Sequence, residues 1–211
     1  MQNFKSILVG IDLSQTLRTG STAFLPPVEQ AIKEAVWIAK HSQAPLTFFS
    51  AIDVPSGDVY LSGEDLQRFA GKLHESAAKA LGELVARAKS HGVSATSKIA
   101  AGAGWKEMIR EVLRHGHDLV VVGARNRSSV ERFLFGSTTM KLLHNCPCPV
   151  WVTQPEPREV PQSILATSDF SPVSDEVIRA AGNIALAAGA PLHLLHTVDC
   201  PLDRLWGPAM T

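Results

Sequence analysis

The sequence lacks the features that mark secreted and membrane-spanning proteins. Its 211 residues contain 3 cysteines, an odd number that does not fit a disulfide framework. Its apolar runs fall short of the roughly 18 residues that a membrane-spanning helix needs. The first residues enter a strand pattern instead of a charged lead, an apolar stretch and a cleavage site. We therefore expect a cytoplasmic location and no membrane partner.

An excess of charge is also missing. Lys and Arg total 20 and Asp and Glu total 20, so the formal net charge is +0. A neutral chain exerts no long-range attraction on nucleic acid, which is therefore not an expected partner. The sequence also lacks a phosphate-loop lysine and an acidic pair for a metal ion. It predicts neither a metal site nor catalytic residues, although a slow ATPase or phosphotransferase activity stays open as an alternative.

Short apolar runs alternate with amphipathic segments along most of the chain. The pattern predicts strands at 7–11, 46–52, 93–100, 119–122 and 150–152, and helices at 29–41, 64–90 and 105–115. This alternation predicts an α/β fold with a doubly wound, five-stranded parallel sheet flanked by helices. The polar third strand is expected at an edge and the apolar fourth strand in the middle.

Helical spacing also predicts which side chains face the core. In the long helix, one stripe recurs at intervals of three or four: Leu66, Phe69, Leu73, Ala77, Leu81, Leu84 and Ala88. In the helix that follows, the inward residues are expected to be Met108, Ile109, Val112 and Leu113.

The chain contains an incomplete internal repeat. SILVGIDLS at 6–14 matches SILATSDFS at 163–171, and residues 44–55 match residues 190–201. The domains are therefore expected at 1–154 and 163–211, with a proline-rich linker at 155–162. The second copy reads as strand 164–168, helix 172–188 and strand 192–198. Since such a set cannot bury a core alone, we expect at least a homodimer.

The two copies differ in length after their first strand. The matches are offset by 157 and by 146 residues, which leaves 11 extra residues in the first copy, within 15–27. This insertion follows a strand end, so it is either a lid over a ligand site or an ordinary surface loop.

A glycine-bounded loop follows the fourth strand. Gly123-Ala-Arg-Asn126 is followed by nine residues and then by Gly136-Ser137. Glycine lets a backbone approach a ligand closely, and the N-terminus of a helix suits a phosphate. Asp12 and Ala51 come at the ends of the first two strands, and ligands of such sheets lie at the carboxyl ends of strands. These positions predict one shared site.

The residues resemble the universal stress protein family in its tandem form, over about residues 5–154 and half of a second repeat. The family has an adenine-nucleotide-hydrolase-like fold, and its nucleotide-binding members carry Gly-x-x-Gly, nine residues, then Gly-Ser/Thr. The resemblance implies a stress-response regulator that binds ATP, with or without Mg²⁺. It places Gly10, Ile11, Asp12 and Ala51 at the adenine and sugar, and the following residues at the phosphates: Gly123, Arg125, Asn126, Arg127, Gly136, Ser137 and Thr138.

Other interpretations of the same residues remain open. Asn126 stands where the family has its second glycine; it tolerates a positive φ, but its side chain would lie where the phosphates approach. Arg125 and Arg127 either compensate or are surface charges. The glycines could equally serve tight packing of the turn. Asp12 could be an ordinary loop acid, and Ser137 could cap a helix. The alternative function is a dimeric interaction module that binds no nucleotide.

Two further clusters carry no predicted chemistry. His115 and His117 lack partners at metal-ligand spacing and are expected to be surface loop residues. Cys146 and Cys148 do not form the Cys-x-x-Cys of a redox or zinc site, so both thiols are expected to serve packing.

Overall fold

The computed structural model describes residues 4–19, 23–52, 63–124, 136–154 and 160–198. These form two compact units, one within residues 3–159 and the other from residue 160 onward. The first unit contains β1 (Ile7–Gly10), α1 (Ser14–Thr19), α2 (Pro26–Ser42), β2 (Leu46–Ile52), α3 (Gly63–Ser90), β3 (Ala95–Ala101), α4 (Gly104–His115), β4 (Leu119–Gly123), α5 (Ser137–Asn145) and β5 (Val150–Thr153). The second contains β6 (Ile164–Thr167), α6 (Pro172–Ala188) and β7 (Leu192–Leu195).

The sheet of the first unit is parallel throughout, with strand order β3-β2-β1-β4-β5. The predicted five-stranded parallel sheet flanked by helices is confirmed. As expected, β3 lies at an edge and β4 lies between two neighbours. The order reverses between β1 and β4, so the switch point of the doubly wound sheet falls at Gly10 and Gly123.

The core lies on both faces of this sheet. On one face, Leu8, Phe49 and Val120 pack with Met108 and Val112 of α4 and Leu142 of α5, all at most 4 % exposed. On the other face, α2 and α3 supply buried Ala and aliphatic side chains: Ala31, Ile32, Ala35, Ile38, Ala77, Leu81 and Leu84. An ion pair of 2.9 Å between Arg87 Nη1 and Glu29 Oε2 joins these two helices.

Three helical predictions were wrong in detail. The helix expected at 29–41 begins at Pro26, because proline is well tolerated in a first helical turn, where its missing N–H is not needed. Phe69 of α3 is 47 % exposed instead of buried. Leu113 of α4 is 68 % exposed instead of buried, whereas Glu111 of the same helix is only 6 % exposed. The side chain of Leu66 lies outside the described part of the chain.

The second unit is a strand–helix–strand set, as its sequence predicts. β6 and β7 pair in parallel, with Leu165 opposite His193 and Thr167 opposite Leu195. Ser171 caps α6 by accepting a hydrogen bond from the Ser174 N–H at 3.3 Å. Leu165 and Leu195, on one face of this small sheet, are exposed at 62 % and 44 %. Both strands end earlier than predicted, at Thr167 and Leu195.

No helix in the described ranges is both long and apolar enough to cross a membrane.

Candidate functional site

A cavity of about 510 Å³ lies at the carboxyl ends of β1, β2 and β4. This volume falls in the range of about 300–1,000 Å³ that is typical of small-molecule sites. The cavity is bounded by strand ends and by the N-terminal turns of α2, α4 and α5. Its lining residues are Gly10, Ile11, Asp12, Leu25, Pro27, Val28, Phe49, Ala51, Gly104, Met108, Val122, Gly123, Gly136, Ser137, Thr138 and Thr139.

The structure brings eight of the predicted site residues to this one cavity. They are Gly10, Ile11, Asp12, Ala51, Gly123, Gly136, Ser137 and Thr138. They come together because the carboxyl ends of parallel strands meet at one edge of a sheet. Arg125, Asn126 and Arg127 lie outside the described residues.

Asp12 is the one charged side chain among the described lining residues. It is half-buried, and its Oδ1 accepts a hydrogen bond from the Ser14 N–H at 3.0 Å. This bond forms a local Asx turn that leads from β1 into α1. The carboxylate is thereby held at the strand end, where its oxygens are suited to accept bonds from hydroxyl groups.

Four glycines are among the described lining residues, and they have different physical reasons for lacking a side chain. A Cβ at Gly123 would lie 2.3 Å from the Pro27 carbonyl oxygen, so this glycine is required by the close approach of α2. A Cβ at Gly10 would lie 2.7 Å from Met108 Cε and 2.9 Å from Val122 Cγ1. A Cβ at Gly136 or at Gly104 would meet no atom of the described residues within 4 Å. Packing among the described residues therefore explains Gly123 and Gly10 and leaves Gly136 and Gly104 unexplained.

The N-terminus of α5 also faces the cavity through Gly136, Ser137 and Thr138. Gly136 is the N-cap, with φ −61° and ψ 157°, and has no side chain with which to accept a bond from the first turn. The first N–H groups of a helix have no intrahelical partner, and the helix dipole places positive partial charge there. This end of α5 therefore offers N–H donors in a cavity that also contains an acid and apolar walls.

Several lining residues were missed by the sequence analysis. Leu25, Pro27 and Val28 come from the end of the predicted insertion and the start of α2, while Phe49 precedes Ala51 by two residues on the same strand face. Gly104 and Met108 come from α4. The signal for Gly104 was present, because Gly102-Ala-Gly104 follows the carboxyl end of β3 just as Gly123 ends β4.

The predicted insertion at 15–27 is helical at its beginning, since α1 covers Ser14–Thr19. Residues 20–22 lie outside the described part of the chain. The last residues of the insertion, Leu25 and Pro27, line the cavity. The insertion therefore borders the site, and its action as a lid stays a prediction.

His117 is buried, so the prediction that it lies on the surface was wrong. It is 6 % exposed, and its Nδ1 lies 2.8 Å from the Ser6 hydroxyl oxygen. Its Nε2 has no hydrogen-bond partner among the described residues. Burial lowers the pKa of this imidazole below its usual value of 6.5, and nearby His115 lowers it further, against the opposing effect of Glu111 and Asp118. Within the described ranges, no group of three His, Cys, Asp or Glu side chains is placed to hold a metal ion.

Comparisons with known proteins agree with this fold. The model of the universal stress protein family matches residues 3–154. A putative universal stress protein of Staphylococcus aureus is 29% identical over 177 residues, which is 82% of this chain and 92% of that protein. One from Methanocaldococcus jannaschii is 28% identical over 131 residues, or 62% of this chain and 76% of that protein.

Solved structures give the same result. UspA from Lactobacillus plantarum has a TM-score of 0.54 at 26% identity and covers 71% of this chain and 97% of its own. A universal stress protein from Archaeoglobus fulgidus has a TM-score of 0.71 at 18% identity, over 97% of this chain and 71% of its own. A family protein from Arabidopsis thaliana, solved with AMP bound, has a TM-score of 0.53 at 18% identity, over 74% of this chain and 95% of its own. Since the family model matches well over half of its residues, the chain belongs to the universal stress protein family.

Proposed function

We propose that the cavity binds an adenine nucleotide, ATP, and that the chain is a nucleotide-responsive regulatory protein of the stress response. The observation that carries this proposal is the open space at Gly136. Neither a positive φ nor packing against the described residues requires the glycine at 136, which lies at the N-terminus of α5 in a cavity of about 510 Å³. A ligand that approaches the backbone of this turn closely explains why a side chain is missing there.

The phosphates would lie at α5. The N–H groups of its first turn and the hydroxyl groups of Ser137 and Thr138 would donate to them. No cation is found among the described lining residues, so the helix end is the main positive group there. Arg125 and Arg127 follow β4 directly in the sequence and would add charge-assisted bonds from the loop.

The sugar and the base would occupy the strand ends. Asp12 repels phosphate, so its place is at the ribose hydroxyls, where a carboxylate accepts hydrogen bonds. Ala51, Phe49 and Val28 give the cavity apolar walls that suit a flat adenine ring. We propose Mg²⁺ only as a companion of the phosphates, because Asp12 is the single acid among the described lining residues. The related Arabidopsis protein with AMP bound shares this fold and is in line with the proposal.

The test is calorimetric titration with ATP, with and without Mg²⁺, on the parent and on Gly136→Leu. The substitution should fold, since the new Cβ meets no atom of the described residues, and it should abolish binding by filling the space beside α5. Gly82→Leu is the matched control, because Gly82 is an exposed residue of α3 with the same open surroundings and lies outside the cavity lining. Equal ATP affinity in the parent and Gly136→Leu would show that the nucleotide does not use this turn.

Asn126→Gly separates the two functions left open by the sequence. Binding by the parent supports the nucleotide proposal. Binding by Asn126→Gly alone would mean that the fold has kept its shape and lost its ligand, which favours the interaction module.

The exposed sheet face of the second unit favours self-association as an additional property. In the alignment of the two repeat copies, Leu165 is equivalent to Leu8, and Leu195 is equivalent to Phe49. In the first unit Leu8 and Phe49 are at most 1 % exposed, under α4 and α5. Their counterparts are 62 % and 44 % exposed. We propose that residues 163–211 are an incomplete second repeat, and that a second copy of the chain covers this face.

Sedimentation at micromolar concentration tests the dimer. Leu165→Glu should shift it to monomer, because a carboxylate on the buried face of an interface is strongly unfavourable. Leu113→Glu is the control: Leu113 is exposed to a similar extent, 68 %, but belongs to the first unit. A parent that sediments as a monomer would contradict the proposal.

A further inference from the structure

Cys146 and Cys148 lie side by side at the end of α5. Their Sγ atoms are 3.7 Å apart, within the range of an S–H···S hydrogen bond. Both residues are half-buried free thiols, and both pack against the core cluster around Leu142 and Val120. The pair is therefore close in space and still reachable by a small molecule from solvent.

The backbone on each side of the pair is fixed. The Cys146 N–H donates to the Leu142 carbonyl at 2.8 Å and closes the last turn of α5. The Pro149 carbonyl accepts from the Val120 N–H at 3.0 Å and anchors the start of β5. Pro147 between the two cysteines restricts φ. The two Sγ atoms must approach from 3.7 Å to the roughly 2 Å of a disulfide bond, which requires rotation about the side-chain torsions of the two cysteines.

The contact makes the two thiols unequal. The hydrogen bond from the Cys148 thiol lowers the pKa of Cys146 to about 7. The same contact, burial and the nearby Asp118 carboxylate raise the pKa of Cys148. The carbonyl end of α5 disfavours a thiolate at Cys146, so the bond from Cys148 is what supports one. One sulfur is thus an activated nucleophile, and its neighbour keeps its proton.

We propose that Cys146 and Cys148 form a peroxide-reactive site that closes to an intramolecular disulfide. The Cys146 thiolate attacks one oxygen of hydrogen peroxide; the O–O bond breaks, hydroxide leaves and takes up a proton, and Cys146 becomes a sulfenic acid. The Cys148 sulfur then attacks the sulfenic sulfur, the S–O bond breaks, and the hydroxyl leaves as water with the Cys148 proton. In sum, two thiols lose two electrons and two protons to one peroxide, giving one disulfide and two waters.

The test uses the full chain and needs no variant for its main result. Both cysteines fall in the single tryptic peptide 142–158, and Cys200 falls in another. The protein is treated with hydrogen peroxide at neutral pH, alkylated and digested. We expect peptide 142–158 to lose two hydrogens and to take up no alkyl group, while dithiothreitol restores two alkylation sites. A peptide that keeps two alkylatable thiols, while Cys200 or free glutathione in the same tube is oxidised, would overturn the proposal.

Three variants test the roles of the sulfurs. Cys148→Ser should leave a sulfenic acid on Cys146 that dimedone traps, because no neighbouring thiol removes it. Cys148→Ala, which removes the donor that serine would keep, should slow the alkylation of Cys146 at pH 7 by about tenfold, since the thiolate fraction falls as the pKa returns toward its usual value. In Cys146→Ser, the remaining Cys148 thiol should react with peroxide no faster than the Cys200 thiol does. Equal alkylation rates of Cys146 in the parent and in Cys148→Ala would show that the contact does not activate it.

Discussion

A charge placed at the N-cap of α5 gives the sharpest test of the proposed phosphate position. Gly136 has the extended backbone, φ −61° and ψ 157°, from which an Asp or Asn side chain accepts a bond from the second or third N–H of a helix. Gly136→Asp and Gly136→Asn have nearly the same shape and both cap the helix. Only the aspartate adds a negative charge where we place the phosphates.

The two variants should fold at least as well as the parent. Replacing a glycine N-cap by Asn gains a few tenths of a kcal/mol, and Asp adds about 0.3–1 kcal/mol through the helix dipole. The melting temperature should therefore rise by about 1–4 °C. Both side chains would accept hydrogen bonds from the N–H groups that the phosphates would use. Both variants should therefore bind ATP more weakly than the parent does.

The difference between the variants isolates the charge. Two unit charges about 5 Å apart repel by about 1–3 kcal/mol for an effective dielectric constant of about 80 to 20. This energy corresponds to a dissociation constant for ATP that is roughly 5- to 150-fold higher in Gly136→Asp than in Gly136→Asn. Calorimetry with adenosine is the control, because an uncharged nucleoside should bind both variants equally.

Two results would refute the reasoning. If both variants bind ATP as tightly as the parent does, the phosphates do not lie at α5. If Gly136→Asp and Gly136→Asn differ equally for ATP and adenosine, the substitution acts on the shape of the site and not on a phosphate.

Three further predictions concern the walls of the site and the pH response. Gly123→Ala should lower the free energy of unfolding by about 1–3 kcal/mol in denaturant melts, because its Cβ would lie 2.3 Å from the Pro27 carbonyl oxygen; Gly82→Ala, in open space on α3, should not. The pKa of His117 is lower in the folded protein than in the unfolded chain, so the unfolded chain takes up a proton more readily. Stability should therefore fall as the pH drops below about 6.5. His117→Gln should flatten that part of the curve, and an unchanged curve would contradict the assignment. If the insertion at 15–27 acts as a lid, replacing its residues 15–24 with a short Gly-Ser link should speed nucleotide release in stopped flow, whereas an unchanged rate would identify an ordinary loop.

The sequence predicted the sheet well because its signals are local. β2 was predicted with the observed bounds, Leu46–Ile52, and the edge position of β3 followed from its polar composition. The glycine spacing after a strand end predicted one shared site, and Gly123 and Gly136 line one cavity. These features depend on residue type and spacing, which are visible in a single chain.

Burial along the helices was harder to predict, because it depends on what each turn meets. At about 1.5 Å per residue, the 28 residues of α3 span about 42 Å. A seven-residue strand such as β2 spans only about 23 Å. The apolar stripe is therefore longer than the sheet that can cover it, and Phe69 in its first half stays 47 % exposed while Leu81 and Leu84 are buried.

His117 shows the same limit for a polar residue. Its spacing from His115 indicates a loop, and nothing nearby in sequence provides a partner. The partner is Ser6, 111 residues away, which precedes β1 as His117 precedes β4. The neighbouring Asp118 carboxylate accepts the Lys5 and Ser6 N–H groups at 2.7 and 2.9 Å. Only the parallel pairing of β1 with β4 brings these residues together.

The glycines of the motif show why its spacing alone does not identify a ligand site. Gly123 and Gly136 are equally recognisable in the sequence, yet the backbone of Pro27 requires the first, whereas no atom within the described ranges requires the second. A family member that had lost its nucleotide would still need Gly123 to keep α2 against β4, whereas Gly136 would be free to change. The residue at position 136 is therefore the better indicator of function, and its remaining a glycine here, in a chain whose Asn126 departs from the family pattern, favours a cavity that still receives a ligand.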